Sequence, residues 1–510
     1  MSAIIFTDIR DYLKALEDEG ELLRIQGNVE FSCARMNSDL DGLTKHLINS
    51  EGPAVLIDGQ CLKPYNTPDI PVLVNLFGKP KRSAMVVGET DLKTARDKVC
   101  GIVADKARWL DPAIVDPGNA PCKEVIIEED EVNIPQQIPI IYFGQEGSPY
   151  ICCGIEATKE PGTGVLNYGW YRSAILDVEP EGNPFPEELR RNHLACYIWW
   201  NPPSSHIGIH YAKARGAGGN LEIAIACVND PSLHLAAGTG LAYGPHEWDA
   251  IAYAGALRGQ PVEMVKCETV DLHVPANAEI IIEGEVIPKD VREGPHGNYL
   301  GTYDPPFTLP LVKVKCITRR QKPIWYASHE MRPPFDHAWL ANLTWGPQLF
   351  AELTSKFPWV ADAAIYPTGW GNVYAIQLST DAPNKPYPGI GKSICHAVWG
   401  AAERVARWIK VIFVVGPDID IHNPADILFA LATRWQPQSD SVFTQTQSTV
   451  VDPSAPFTAQ MARLITEAIG IDATIKVPER FTEMPFVDFA VPTAEAIEKA
   501  GRKIAPFIKK

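Results

Sequence analysis

From about residue 121 to residue 320 the chain breaks into short β-type runs, such as Val125 to Ile127 and Ile223 to Cys227, split by Pro and Gly turns with helical pieces between them. A stretch of that texture reads as a separate, mostly β domain, and it divides the chain. Before it, residues 7 to 25 carry Ile9, Leu13 and Leu16 at helical spacing behind a Thr7/Asp8 cap, with Gly20 where the helix would stop. After it, strand-like Val373 to Leu378, helix-like Ser393 to Arg407 and the buried strand-like run Val411 to Val415 alternate, an α/β pattern. In the tail, Thr493 is a cap, Glu495 and Glu498 come early and Lys499, Arg502 and Lys503 late, the charge order a helix dipole favours. The expected layout is an α/β domain over 1–120, a β domain over 121–320, a second α/β domain over 321–490 and a terminal helix over 491–510.

A length of 510 residues agrees with about three domains at roughly 150 residues each. The chain has 46 basic and 62 acidic residues, a net charge of −16, so its surface repels phosphate backbones and anionic lipid heads, which argues against a nucleic-acid partner. Eleven cysteines without a C-x-x-C spacing argue against a disulfide framework or a cysteine zinc cluster and fit the reducing cytosol. The N-terminus reaches Asp8 before a signal-peptide apolar region forms, and no apolar run approaches a membrane span. A cytoplasmic protein is expected.

Several catalytic motifs fail on inspection. A P-loop needs glycine five residues before the Gly391-Lys392-Ser393 triplet, and position 386 is Pro386. The run Gly238-Thr239-Gly240 lacks the third glycine of a dinucleotide fingerprint, and no G-x-S-x-G elbow occurs. His206 and His210 share a face of a helix capped by Ser204 or Ser205, but Ile207 stands where a zincin has its glutamate. That pair alone does not make a metal site.

Three separated segments carry more weight together: Asn167-Tyr168-Gly169-Trp170-Tyr171-Arg172, Pro202-Pro203-Ser204-Ser205-His206 with its helix, and Glu293-Gly294-Pro295-His296-Gly297-Asn298. With the opening ELLRI helix, AGALRGQPVEMVKC at 254–267, AEIIIEGEV at 278–286 and VGPDIDIHNPADILFALATR at 415–434, they resemble the UbiD family of reversible decarboxylases that use prenylated FMN. The resemblance implies an N-terminal α/β domain, a central split β-barrel like that of flavin reductases, a C-terminal α/β domain and a C-terminal dimerisation helix. It also implies prenylated FMN between the central and C-terminal domains, its phosphate held by a divalent metal, usually Mn²⁺, with K⁺ nearby.

Carried over residue by residue, the resemblance makes Asn167 and His206 metal ligands, an oxygen and an imidazole that suit Mn²⁺. The third ligand would be a glutamate upstream of the AGAL segment, where the spacing favours Glu247 with Asp249 as the alternative. Arg172 matches the catalytic arginine, whose planar fork holds a carboxylate at any working pH. Glu293 matches the first acid of a Glu-Arg-Glu network that handles the proton. The second acid would fall at Asn298, whose amide has no proton to deliver and can only hydrogen-bond to Arg172 or the substrate. His296 titrates in a range that would let it substitute; otherwise Glu293 alone carries the proton. Around the cofactor, Trp170 and Tyr171 flank the arginine, Ser205 precedes the metal histidine, and Ala236, Ala237 and Thr239 match the loop about the phosphate and potassium. Lys392 is a candidate phosphate contact, in competition with Arg404.

The expected reaction is reversible, non-oxidative decarboxylation of an aromatic, heteroaromatic or α,β-unsaturated carboxylic acid, with prenylated FMN as electron sink. The implied partners are that acid, CO₂, a flavin prenyltransferase of the UbiX type and a second copy of the chain. Two other readings stay open: an ordinary FMN oxidoreductase on the same barrel, and a non-catalytic subunit of a carboxylase complex in which Asn298 has removed the chemistry.

Overall fold

A computed structural model describes residues 6–63, 69–176, 185–201, 205–241, 248–369, 371–379, 389–401, 408–447, 452–455, 465–475 and 492–507. The first helix, Ile9–Asp18, starts where Asp8 Oδ1 accepts the amide of Arg10, and it buries Ile9, Tyr12, Leu13 and Leu16 on one face. That face packs on a four-stranded sheet in the order Leu22–Ile25, Ala54–Ile57, Val72–Val74, Trp325–Tyr326. The chain just beyond residue 320 therefore returns to the N-terminal sheet, with Trp325 paired to Val72.

The middle of the chain forms a nine-stranded antiparallel sheet among the described residues. Its backbone is the pair Ile280–Glu293 and Phe307–Arg319, flanked by Leu221–Cys227 on one side and His193–Cys196 on the other. The inward residues are β-branched and fully buried, among them Ile223, Ile225, Ile280 and Ile282, as a half-buried strand surface requires. Two register shifts, at Glu283/Gly284 and Ile287/Asp290, bend the long strand, and its last residue, Glu293, pairs with Phe307. Both sheets share one apolar core that runs from Phe6 to Leu343.

A five-stranded sheet follows in the order Val360–Ile365, Val373–Leu378, Val411–Val415, Ile465–Ala473, Ser441–Gln447, parallel in its middle, with helices Ile390–Trp399 and Pro424–Arg434 packed against it. It has its own cores on its two faces. Arg96, from the helix Leu92–Val103, ties it to the N-terminal region: buried, it pairs with Asp362 and donates to Ala363 O at 2.7 Å. The last helix, Ala494–Ile504, begins at Thr493, whose Oγ1 accepts the amide of Ala496, and buries none of its residues. All eleven cysteines are free thiols. No described helix is long and apolar enough to cross a membrane.

Candidate active site

The strand Leu166–Trp170 runs antiparallel to Gly154–Lys159 and sets Asn167 opposite Thr158. Alternation along a strand sends Asn167 to the face opposite Trp170. His206 is the first residue of the helix His206–Gly216, whose start is capped by Ser205 Oγ accepting from Gly208 N. Gly208 is required there: a Cβ would lie 2.1 Å from Trp199 O, so only glycine lets the first helical turn rest on that loop. His210, one turn on, is buried with Nδ1 2.9 Å from Thr158 Oγ1, and burial lowers it to about 4. The two histidines thus divide, one committed to the core and one at the site.

Asn167, Gly169, Tyr171, His206, Ala236, Ala237, Gly240 and Asp249 line a cleft of about 600 Å³, counted out to solvent. Asp249 opens the helix Asp249–Arg258. Glu247, the first choice for the third ligand, and Arg404 lie outside the described residues. Of the other expected cofactor contacts, Thr239 gives its hydroxyl to Leu235 O at 2.7 Å, and Trp170 gives its indole N–H to Cys152 O at 2.6 Å and packs on His234 and His337. Lys392 donates to Ser439 O at 3.0 Å and is not among the residues lining the cleft.

No three His, Cys, Asp or Glu side chains converge as a metal site among the described residues. The cleft instead presents an amide, an imidazole and a carboxylate. Asn167 buries Nδ2 without a hydrogen-bond partner, and an amide turned by half a rotation offers its oxygen at the same place. This mixed oxygen and nitrogen set fits a manganese-class divalent ion.

Arg172 lies five residues beyond Asn167, at most about 17 Å along extended chain. Its guanidinium stacks 3.9 Å over the ring centroid of Tyr197, donates from Nη1 to Asp304 Oδ2 at 3.3 Å and holds Nη2 3.7 Å from Glu293 Oε1. Burial lowers its pKa, but Glu293, Tyr197 and Asp304 more than offset this and it stays charged. Arg172 Nε and Nη2 and Glu293 Oε1 are buried with no hydrogen-bond partner. Buried polar groups left unpaired are costly, and here both kinds face each other across a gap.

Glu293 accepts a short hydrogen bond on Oε2 from the Tyr150 hydroxyl. Burial pushes its carboxyl above the ordinary value, against the pull of Arg172. Directly after it, Gly294 takes φ +107°, a conformation open to glycine and strained for other residues, and the chain turns into a two-strand hairpin of His296–Gly297 with Tyr303–Asp304. His296 does not meet the expectation of an imidazole that titrates near neutrality. It is 1% exposed, and burial, then Arg172 and then His329, push it well below its ordinary value. Its Nδ1 stands 2.7 Å from Glu146 Oε1, off the line a hydrogen bond needs, and burial drives Glu146 well above its ordinary value. Asn298 does not reach Arg172 either: its Nδ2 donates to Thr302 Oγ1 and Asp304 Oδ1, both at 2.9 Å, and its Oδ1 accepts from Leu300 N.

The residues that sequence reasoning missed are Tyr150, Tyr197, Glu146 and, above all, Asp304. Its only sequence signal is a short turn-rich segment after Asn298 that pairs 304 with 296 once it is recognised as a hairpin.

Two family domains match the chain, the 3-octaprenyl-4-hydroxybenzoate carboxy-lyase Rift-related domain over residues 113–333 and the carboxy-lyase C-terminal domain over residues 338–473. An uncharacterized protein of Archaeoglobus fulgidus is 28% identical over 516 residues, covering 97% of each chain. The UbiD-class enzyme HmfF of Pelotomaculum thermopropionicum, solved with FMN, superposes with a TM-score of 0.78 at 26% identity over 97% of this chain and 99% of that one. An evolved dimeric form of HmfF, solved with prFMN, superposes with a TM-score of 0.77 at 26% identity over 99% of this chain and 100% of that one. The vanillic acid decarboxylase of Sedimentibacter hydroxybenzoicus in its open form gives 0.76 at 25% identity over 99% of this chain and 100% of that one.

Proposed function

The chain belongs to the UbiD family, and on that premise we propose that it catalyses the reversible, non-oxidative decarboxylation of an aromatic, heteroaromatic or α,β-unsaturated carboxylic acid with prenylated FMN. One observation carries the reading: a buried arginine with two unpaired donors faces the unpaired oxygen of a buried carboxyl whose pKa is raised. That is a receptor for a carboxylate beside a store for one proton.

Asn167 and His206, with Asp249 or the neighbouring Glu247, would hold Mn²⁺ and through it the flavin phosphate, with K⁺ nearby. Bound prenylated FMN supplies the electron sink for the carbanion left when CO₂ departs. The chain's own residues do the rest. Arg172 binds the substrate carboxylate through Nε and Nη2, its plane set by Tyr197. Glu293 delivers a proton from Oε1 to the carbon that lost CO₂ and takes up another from solvent for the next turnover, with Tyr150 fixing its other oxygen. The packing of Trp170, His234 and His337 excludes water behind the strand. Because the same groups serve both directions, high CO₂ drives carboxylation.

The test is co-expression with a flavin prenyltransferase, anaerobic purification with Mn²⁺ and K⁺, mass analysis of the bound cofactor, and CO₂ release from a panel of aromatic and acrylic acids. Arg172→Ala is expected to abolish CO₂ release with flavin still bound; turnover retained by that variant would refute the assignment.

A further inference from the structure

Two carboxyl groups, Glu293 and Asp304, share the single guanidinium of Arg172 in a buried site. Were both ionised, the trio would carry a net negative charge out of water, which is strongly disfavoured, so one of them keeps a proton. Their surroundings decide which. Asp304 Oδ2 accepts from Arg172 Nη1 at 3.3 Å and its Oδ1 accepts from Asn298 Nδ2 at 2.9 Å, so both oxygens of an anion are served. Glu293 stands farther from the guanidinium, at 3.7 Å, with Oε1 unpaired and only the Tyr150 hydroxyl on Oε2. We propose that Asp304 is the permanently ionised partner of Arg172, a positioning residue that takes up the arginine's charge and so leaves Glu293 as the protonated acid.

The proposal rests on the decarboxylase reading for its role in turnover, and it explains Asn298. An acid at 298 would touch Asp304 and make a third carboxyl in the same enclosure. An amide there gives its N–H to Asp304 and its oxygen to the turn, and so holds the carboxylate in place from across the hairpin. The substitution does not remove the second acid; the hairpin moves it to position 304. Pairs of acids pushed to opposite protonation states by their surroundings are how sites obtain a proton donor near neutral pH.

The other titratable and charged groups facing Glu293 are Arg172, Tyr150, Glu146 and Cys196, and those facing Asp304 are Arg172, Glu293 and Glu330. Burial raises both carboxyls, and the negative charge of Asp304 raises Glu293 further.

Asp304→Asn is nearly isosteric and keeps an acceptor for Asn298. Without the competing carboxylate, Arg172 pairs with Glu293 and ionises it. The direct readout is the protonated-carboxyl C=O band in the infrared, assigned by difference against Glu293→Gln in the purified, cofactor-loaded protein at pH 7. The band is expected in the natural protein and absent in Asp304→Asn. The second readout is the pH profile of kcat/KM for CO₂ release, whose basic limb should move down by about one pH unit in Asp304→Asn, a tenfold loss above it. If Asp304→Asn is unstable, Asp304→Ser repeats the measurement. A band that persists in the variants, or that the natural protein lacks, overturns the proposal. Loss of the band in a protein that releases no CO₂ from any acid would sink the decarboxylase reading and leave the charge assignment standing.

Discussion

Glu156 is a carboxyl sealed inside the central sheet, 1% exposed, accepting from Ser173 Oγ at 3.0 Å and Cys196 Sγ at 3.1 Å. Ser173 follows Arg172 directly and begins the strand Ser173–Ile175, so this buried acid anchors the chain next to the arginine. Burial raises it from an ordinary 4.5 to about 7. Below pH 4.5 the group is protonated in folded and unfolded chains alike, and its contribution to stability is fully present. As pH rises the unfolded chain gives up the proton first, and the contribution is lost through pH 7, roughly 3 kcal/mol in all. Glu156→Gln is neutral throughout and escapes the loss. Its melting temperature relative to the natural protein should therefore rise by about 2–3 °C between pH 5 and pH 8. Scanning calorimetry of both proteins across that range measures it. A difference that stays flat with pH would mean that the carboxyl is ionised throughout, which refutes the reasoning.

The two histidines of one helix should separate cleanly. His206→Ala is expected to lose manganese and flavin while melting normally, by metal analysis and absorbance. His210→Ala should retain both and lose about 1–2 kcal/mol of stability, because it leaves the buried Thr158 hydroxyl unpaired. Lys392→Ala should leave flavin affinity within about twofold, since Lys392 serves Ser439 O, and a tenfold loss in a flavin titration would restore it as a phosphate contact. Asp362→Ala takes one of two carboxylates from the buried Arg96, which keeps Asp97 at 2.7 Å, and should cost about 1–3 kcal/mol by urea unfolding, without moving the pH profile of catalysis.

What could be read in advance is what short strings of residues determine. Asp8, Ser205 and Thr493 cap their helices because a cap is a local contact. Asn167, Arg172, His206 and Glu293 could be named because each sits in a contiguous motif. What stayed hidden depends on pairing between distant segments. Trp325 joins the N-terminal sheet through Val72, and Asp304 reaches Arg172 only because a hairpin sets it opposite His296. His296 shows the same limit in its chemistry. Its residue type suggests titration near neutrality, but its seat among Arg172, His329 and the buried wall keeps it neutral. Lys392 sits in a Gly-Lys-Ser string that looks like a phosphate contact, yet it donates to Ser439 O, in the turn before the strand Ser441–Gln447.

The two ends of the site handle negative charge by different means, and this fixes what chelation should do. At the Arg172 end a guanidinium is available. Among the described residues lining the cleft at the other end there is no lysine or arginine, and the lining includes a carboxylate, Asp249; Lys106, itself exposed, reaches Asp249 only at 3.8 Å. A phosphate seated there without a metal would meet like charge at close range, which repels instead of binding. A divalent ion between Asn167, His206 and the carboxylate reverses that sign, so flavin affinity should depend on it. Treating the loaded protein with a chelator should release flavin, raising its Kd at least about tenfold, and Mn²⁺ should restore binding. Flavin that stays bound after the metal is gone would require a cationic group outside the described lining.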